Sequence, residues 1–172
     1  WPAGGLVDVA ARQLSNRLQT AMGQPIVIDN KLGAGGNVGA DQASKAAADG
    51  YTMLFTSSAL TMSTAMRNKM PFDAVKDLAR VAVVAYAPSV MVVNQNSNIT
   101  TVQELIKAAS ANPGKLSYAS AGVGSPAHLT GELFKSRHNL FILHIPYTGA
   151  PAAMTDQIAG RIDYHFSNAA VA

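Results

Sequence analysis

The sequence predicts an α/β fold, on three observations. Short apolar runs rich in β-branched residues alternate with helical patterns, the helices carry recognisable start and stop residues, and the junctions from strand to helix are loops of small residues. Such alternation argues for a parallel sheet with right-handed crossovers. In sheets of that kind the strand-to-helix loops gather at the carboxyl ends of the strands, where ligands bind.

The elements follow in order. After Trp1-Pro2-Ala3-Gly4-Gly5, residues Val7, Ala10, Ala11, Leu14, Leu18 and Met22 recur at helical spacing and Gly23 supplies a stop, which predicts a helix of about four turns. Pro25–Asp29 reads as a short buried strand, Leu32–Asn37 as a loop, Val38–Ala48 as a small-residue helix and Tyr51–Thr56 as the next strand. A helix begins at residue 59, and an irregular connection through Met70–Asp73 and Asp77-Leu78 completes the stretch to residue 80. Two β-rich runs, Val81–Tyr86 and Val90–Val93, are interrupted by Ala87-Pro88-Ser89, and the boundary between two lobes, 1–86 and 87–172, is expected there.

Beyond it, Thr101-Val102-Gln103-Glu104 is a capping-box start for a helix to Ala111 that Asn112-Pro113-Gly114 ends. Leu116–Ser120 predicts a strand, Pro126–Arg137 a helix, Phe141–Ile145 a strand, Ala150–Ile158 a helix and Ile162–Phe166 a last strand.

Composition narrows the function. The 172 residues are 48% hydrophobic and 13% charged, which suits one ordinary domain or two small lobes and not a disordered segment. The net charge is +3 and the basic residues are scattered, so nothing supports nucleic-acid binding. There is no cysteine, and no apolar run approaches the roughly 20 residues of a membrane span, so no membrane insertion is expected. His138, His144 and His165 fall on different elements without metal-ligand spacing, and neither a P-loop lysine nor a G-x-G-x-x-G motif in its strand-to-helix context is present. No metal, nucleotide or other cofactor is therefore expected.

The most informative stretch runs from Tyr118 to Glu132, YASAGVGSPAHLTGE. Gly122 and Gly124 leave backbone N–H groups uncovered, and Ser125-Pro126 is an N-cap followed by a first-turn proline, a corner that favours an anion. A tight turn would need the same glycines, and the Gly33–Gly36 loop carries the weaker version of that signal. His128, early in the helix, either donates to an anion or packs against the turn. Ser57 and Ser58 lie at a strand end without a G-x-S-x-G elbow, so they read as hydrogen-bonding groups and not as the nucleophile of a hydrolase. Asp8, Asp49, Asp73, Asp77 and Glu104 fit helix-start, turn and capping positions, which leaves no acid/base pair and no enzyme.

Trp1–Asp8, Asp29–Gly39 with its Lys-Leu-Gly-Ala-Gly-Gly core, Asp49-Gly50-Tyr51, Pro113–Gly122 and His144-Ile145-Pro146-Tyr147-Thr148-Gly149 occur in one order over nearly the whole chain. In this the sequence resembles the Bug family of periplasmic solute-binding proteins, the receptors of tripartite tricarboxylate transporters. The resemblance implies a two-lobed Venus-flytrap α/β receptor of the periplasmic type II kind. Such a receptor captures a small organic acid between its lobes and delivers it to the permease subunits in the membrane. Carried onto this chain, the contacts of the first lobe would be Ala3, Gly4, Gly5 and Asp8, with Ser57 and Ser58 at another strand end. Those of the second would be Ser120, Ala121, Gly122, Gly124, Ser125 and His128, then Tyr147, Thr148 and Gly149, with Asn168.

The family commonly has Lys or Arg where Thr148 stands and Phe where Trp1 stands. Its members also begin with a strand before the Trp1 position and return to the first lobe after the second. The chain, which opens on Trp1-Pro2 without a signal peptide, is accordingly expected to be a fragment of an exported protein. The rival reading is the ligand-sensing domain of a transcription regulator, which would need a helix-turn-helix upstream.

Overall fold

A computed structural model describes residues 1–66 and 70–169. The chain divides into two compact units, Trp1–Ala85 and Tyr86–Ala172. No helix among the described residues is long and apolar enough to cross a membrane.

The first unit is built on helices. Helix α1 (Leu6–Met22) ends at Gly23, whose left-handed φ of 65° lets its N–H reach the Gln19 carbonyl. A 3₁₀ turn (Ala34–Gly36) leads into α2 (Asn37–Ser44), and α3 (Ala59–Met66) follows. Helix α2 stops earlier than the expected Ala48, because residues 45–50 form turns. The expected continuation of α3 through residues 67–69 lies outside the described residues.

The expected strands Pro25–Asp29, Tyr51–Thr56 and Val81–Tyr86 are corrected. None is paired into a sheet, and Val27, Tyr51, Val81 and Tyr86 are exposed. A strand exists only with a partner for its N–H and C=O groups, and among the described residues no backbone hydrogen bonds pair these three segments.

The second unit holds a four-stranded sheet in the order β1-β4-β2-β3, with β1 (Ser89–Val93), β2 (Ser117–Ser120), β3 (Leu143–Pro146) and β4 (Tyr164–Asn168). Strands β3 and β4 run parallel to β2, whereas β1 is antiparallel to β4, so the expected all-parallel sheet is mixed. Strand β3 starts later than Phe141 because the Phe141 carbonyl accepts from the Gly114 N–H at 2.7 Å, outside the ladder. Strand β4 runs on to Asn168 because β1 supplies partners as far as Ser89.

Helix α4 (Val102–Ala111) starts with the expected capping box: the Thr101 hydroxyl accepts from the Glu104 N–H, and the Glu104 carboxylate accepts from the Thr101 N–H. Helices α5 (Pro126–His138) and α6 (Ala150–Ile158) form the two crossovers.

The crossovers run in opposite directions along the sheet, from β2 out to β3 and from β3 back past β2 to β4, and their helices cover opposite faces. Tyr118, Tyr164, Leu105, Ala109, Leu140 and Ile142 form the larger core, with Phe134 of α5 against it. Ala119, Ile162 and Ala153 of α6 form the core on the other face. Because the chain reverses direction at β3 and the helices after β2 and β3 lie on opposite faces, the carboxyl ends of these two neighbouring strands form a topological switch point.

Close packing fixes the α5 face. A Cβ built on Gly131 would stand 2.3 Å from Cε2 and 2.6 Å from Cζ of the fully buried Tyr118 ring. The phenol is anchored by donating to Glu132 Oε1 at 2.7 Å, so the ring has little room to retreat. Gly131→Ala gains about 1 kcal/mol of helix propensity but overfills a closed site, which costs typically ~1–3 kcal/mol and more where a ring cannot move. Its melting temperature is predicted to fall, and an unchanged or raised value would contradict this packing.

A second prediction concerns pH. His165 is 2% exposed, its Nδ1 is paired with Gln157 Oε1, its Nε2 is buried without a partner, and burial lowers its pKa to about 4. An unfolded histidine titrates near 6.5, so between there and pH 4 the unfolded chain binds a proton that the native state refuses. The contribution is fully present above that range and falls with pH, by about 3 kcal/mol in all. Denaturant titrations should show His165→Asn losing distinctly less stability than the parent between pH 6.5 and 4.

Candidate ligand-binding site

The parallel pairing of β2 with β3 sets their carboxyl ends side by side, with Ser120 opposite Pro146 and the Tyr147 N–H donating to the Ser120 carbonyl at 2.9 Å. Strand β4 runs parallel on the other side of β2, so Asn168 lies toward the same end of the sheet. The structure thus gathers Ser120–His128, Tyr147–Gly149 and Asn168 at one rim of the second unit.

The β2–α5 loop is held from within. The Gly122 N–H donates to Ser120 Oγ at 3.1 Å, the Ser125 N–H to the Gly122 carbonyl at 3.1 Å, and the Gly124 N–H to His128 Nδ1 at 3.3 Å. The His128 N–H donates to Ser125 Oγ at 3.3 Å, which is the N-cap of α5. With φ of 113° at Gly122 and 85° at Gly124, both positions lie where a side chain is strained, so the turn requires glycine twice. Among the described residues, the amides of Ala121, Val123 and Ala127 have no acceptor. Those three, and not the glycine amides, are the donors available to an external anion.

Helix α6 presents a second set of donors. Its N-cap, Gly149, has extended backbone (φ 170°, ψ 171°) and no side-chain cap, and Ala150 and Ala152 have amides without acceptors among the described residues. Thr148 is exposed. The Tyr147 side chain turns away: its hydroxyl donates to Asp156 Oδ2 at 2.7 Å, and burial together with that carboxylate raises its pKa. Tyr147 therefore packs beneath the rim, against the core of the α6 face.

In the first unit the corresponding pieces are the loop before α1 and the start of α3. Asp8 is 4% exposed and fully engaged, receiving the Gly4 N–H at 2.9 Å, the Arg12 guanidinium at 3.0 Å and Asn30 Nδ2 at 2.9 Å. The Arg12 bond, then those of Gly4 and Asn30, hold its carboxyl far below the ordinary carboxylate range. Asp8 is thus a buttress for Ala3–Gly5, with no lone pair to spare for a ligand.

Helix α1 starts from Gly5 at φ −77° and ψ 165°, again without a side-chain cap, and the amides of Leu6, Val7 and Asp8 have no acceptor among the described residues. Ser57 Oγ receives the Ala59 N–H, the first amide of α3, at 3.2 Å, whereas Ser58 is exposed. Trp1 joins the pieces: its Nε1 lies 3.4 Å from Thr56 Oγ1, and its ring leaves no room for a Cβ at Gly36.

Two cations among the described residues near these amides are already paired. Arg12 is paired with Asp8, and Lys135 with Glu132 at 2.8 Å. His128 is held below its ordinary pKa by burial, against Glu132 and with Lys135, so it is neutral near pH 7. Sequence reading did not assign His144 to the site, yet its Nε2 is 2.7 Å from Ser120 Oγ. Only the strand register, which sets His144 beside Tyr118, brings it there, and no local pattern announces that pairing.

Comparison with known proteins identifies the family and the fold. Residues 10–172 match the tripartite tricarboxylate transporter family receptor. The protein BugT of Bordetella pertussis is 38% identical over 170 residues, covering 98% of this chain and 52% of BugT. A solved periplasmic transporter superposes with a TM-score of 0.93 at 35% identity, covering 98% of this chain and 57% of that one. R. palustris Rpa4515, solved with adipate, has a TM-score of 0.93 at 32% identity, with 98% and 56% covered. The chain spans about half the length of the curated relatives it matches. Its fold is that of these two solved structures, and the family is one of transporter receptors, not enzymes. The chain belongs to the Bug family of tripartite tricarboxylate transporter receptors.

Proposed function

We propose that the protein is an extracytoplasmic solute receptor that captures a small organic acid by its carboxylate and delivers it to the permease subunits of a tripartite tricarboxylate transporter. One observation carries the reading. Gly5 and Gly149 cap α1 and α6 with backbone angles that do not require glycine, where Ser, Thr, Asp or Asn would satisfy an orphan amide. At these ends the chain withholds the acceptor it supplies to α4 through Thr101, leaving N–H groups and the positive end of the helix dipole for a ligand.

The unpartnered amides of Ala121, Val123 and Ala127 do the same at the β2 rim. Thr148 is exposed and carries no charge, so what this stretch offers an acid at the start of α6 is backbone dipoles. Support for an organic acid comes from Rpa4515, whose structure contains adipate, and support for a place outside the cytoplasm comes from the family and its periplasmic members.

Isothermal titration with a panel of short dicarboxylates that includes adipate tests the reading, with adipic acid monoamide and adipamide alongside. Each lost carboxylate charge removes roughly 0.3–1 kcal/mol, up to ~2 where partly buried, so affinity should drop several-fold on amidation. A Gly5→Ser variant has room for its Cβ, whose nearest neighbour is the Pro2 carbonyl oxygen at 3.4 Å. It should gain a few tenths of a kcal/mol in stability and bind the acid more weakly, because its hydroxyl takes an amide from the ligand. Equal affinity for adipate and adipamide would overturn the reading.

A further inference from the structure

We propose that His144 is a positioning residue for the β2–α5 loop, acting through Ser120, an inference that rests on the carboxylate reading above. Ser120 is 1% exposed and stands at the hinge between strand and loop. Its hydroxyl oxygen receives the Gly122 N–H at 3.1 Å and meets His144 Nε2 at 2.7 Å, with a longer contact of 3.2 Å to the Gly122 carbonyl. A hydroxyl has one hydrogen and rotates freely unless both its donor and acceptor roles are taken. His144, at 2.7 Å against 3.2 Å for the Gly122 carbonyl, is the nearer partner for the hydroxyl and helps keep the lone pair facing the Gly122 N–H in place.

The imidazole is itself immobilised. It stacks on the Tyr118 ring at 4.8 Å between centroids and lies 4.4 Å from the His128 ring. Tyr118 in turn is tied to Glu132, and Lys135 is bonded to the same carboxylate. Burial, followed by the neighbouring His128, lowers the His144 pKa to about 4, which keeps it neutral in this column near pH 7.

The two rings grip the loop at its two glycines, His128 by accepting from the Gly124 amide and His144 by fixing the hydroxyl that accepts from Gly122. With both glycine amides withdrawn, the amides of Ala121 and Val123 stay clear for a ligand. Without His144 the Ser120 hydroxyl keeps only its longer 3.2 Å bond to the Gly122 carbonyl beside the Gly122 N–H, and the left-handed Gly122 is held less firmly.

The test compares His144→Phe, which retains a ring to stack on Tyr118, with His144→Gln, which restores a hydrogen-bonding group to Ser120. Amide hydrogen exchange and ¹⁵N–¹H spectra read the loop without any ligand, and titration with adipate reads its consequence. In His144→Phe the Gly122 amide should lose protection and shift, and adipate affinity should fall about three- to tenfold, the worth of one hydrogen bond. Both effects should revert in His144→Gln, and Ser120→Ala added to His144→Phe should bring no further loss of affinity.

An unchanged Gly122 amide in His144→Phe overturns the proposal, whatever adipate does. A shifted Gly122 amide with wild-type affinity overturns the link from loop to ligand while leaving the carboxylate reading in place. If the parent chain binds none of the dicarboxylates, the carboxylate reading fails, while the Gly122 amide in His144→Phe still decides whether His144 positions the loop.

Discussion

The N–H groups that open an α-helix have no acceptor inside it, and a buried one left without a partner costs roughly 1–3 kcal/mol. In α4 the chain meets this cost locally, through the reciprocal bonds of Thr101 and Glu104. In α1 and α6 it does not, although the backbone at Gly5 and Gly149 would accept a capping side chain. A helix that lacks a cap where one would fit is less stable than it need be. Function accounts for that loss if the missing acceptor arrives with the ligand.

Donors of this kind select only when they are held still. The β2–α5 loop uses its own serines and histidines for that purpose: Ser120 and His128 take the Gly122 and Gly124 amides, and Ser125 caps the helix. Beneath the loop, the Tyr118–His144 stack and the Glu132–Lys135 pair bind the rim to the α5 face of the core. Gly131 belongs to the same arrangement, since only its missing side chain lets α5 approach the Tyr118 ring. The chain of cause therefore runs from a small residue on a helix, through an aromatic packed against it, to the angle at which backbone amides meet solvent.

Much of the second unit was legible in the sequence because its signals are local. The Thr101 box, the Ser125-Pro126 helix start and the α6 span are settled within a few residues of themselves. The first unit's strands were misread for the complementary reason. Val27, Tyr51, Val81 and Tyr86 lie in runs with β-propensity, but propensity does not provide a pairing partner. The loop proposed to receive the ligand could be named from Gly122 and Gly124, while the identity of its free amides could not. Which N–H groups remain open depends on His128 and Ser120 occupying the others, and the role of His144 depends on a strand register that only the folded sheet fixes.

The central claim is that a carboxylate is received by backbone amides the fold leaves without acceptors. The most direct measurement is a ¹⁵N–¹H titration of the labelled chain with adipate, followed amide by amide along residues 120–128. The account predicts large downfield shifts at Ala121, Val123 and Ala127, with Gly124 held near its starting position by His128. Saturable shifts confined to Gly122 and Gly124, with those three amides unmoved, would contradict it.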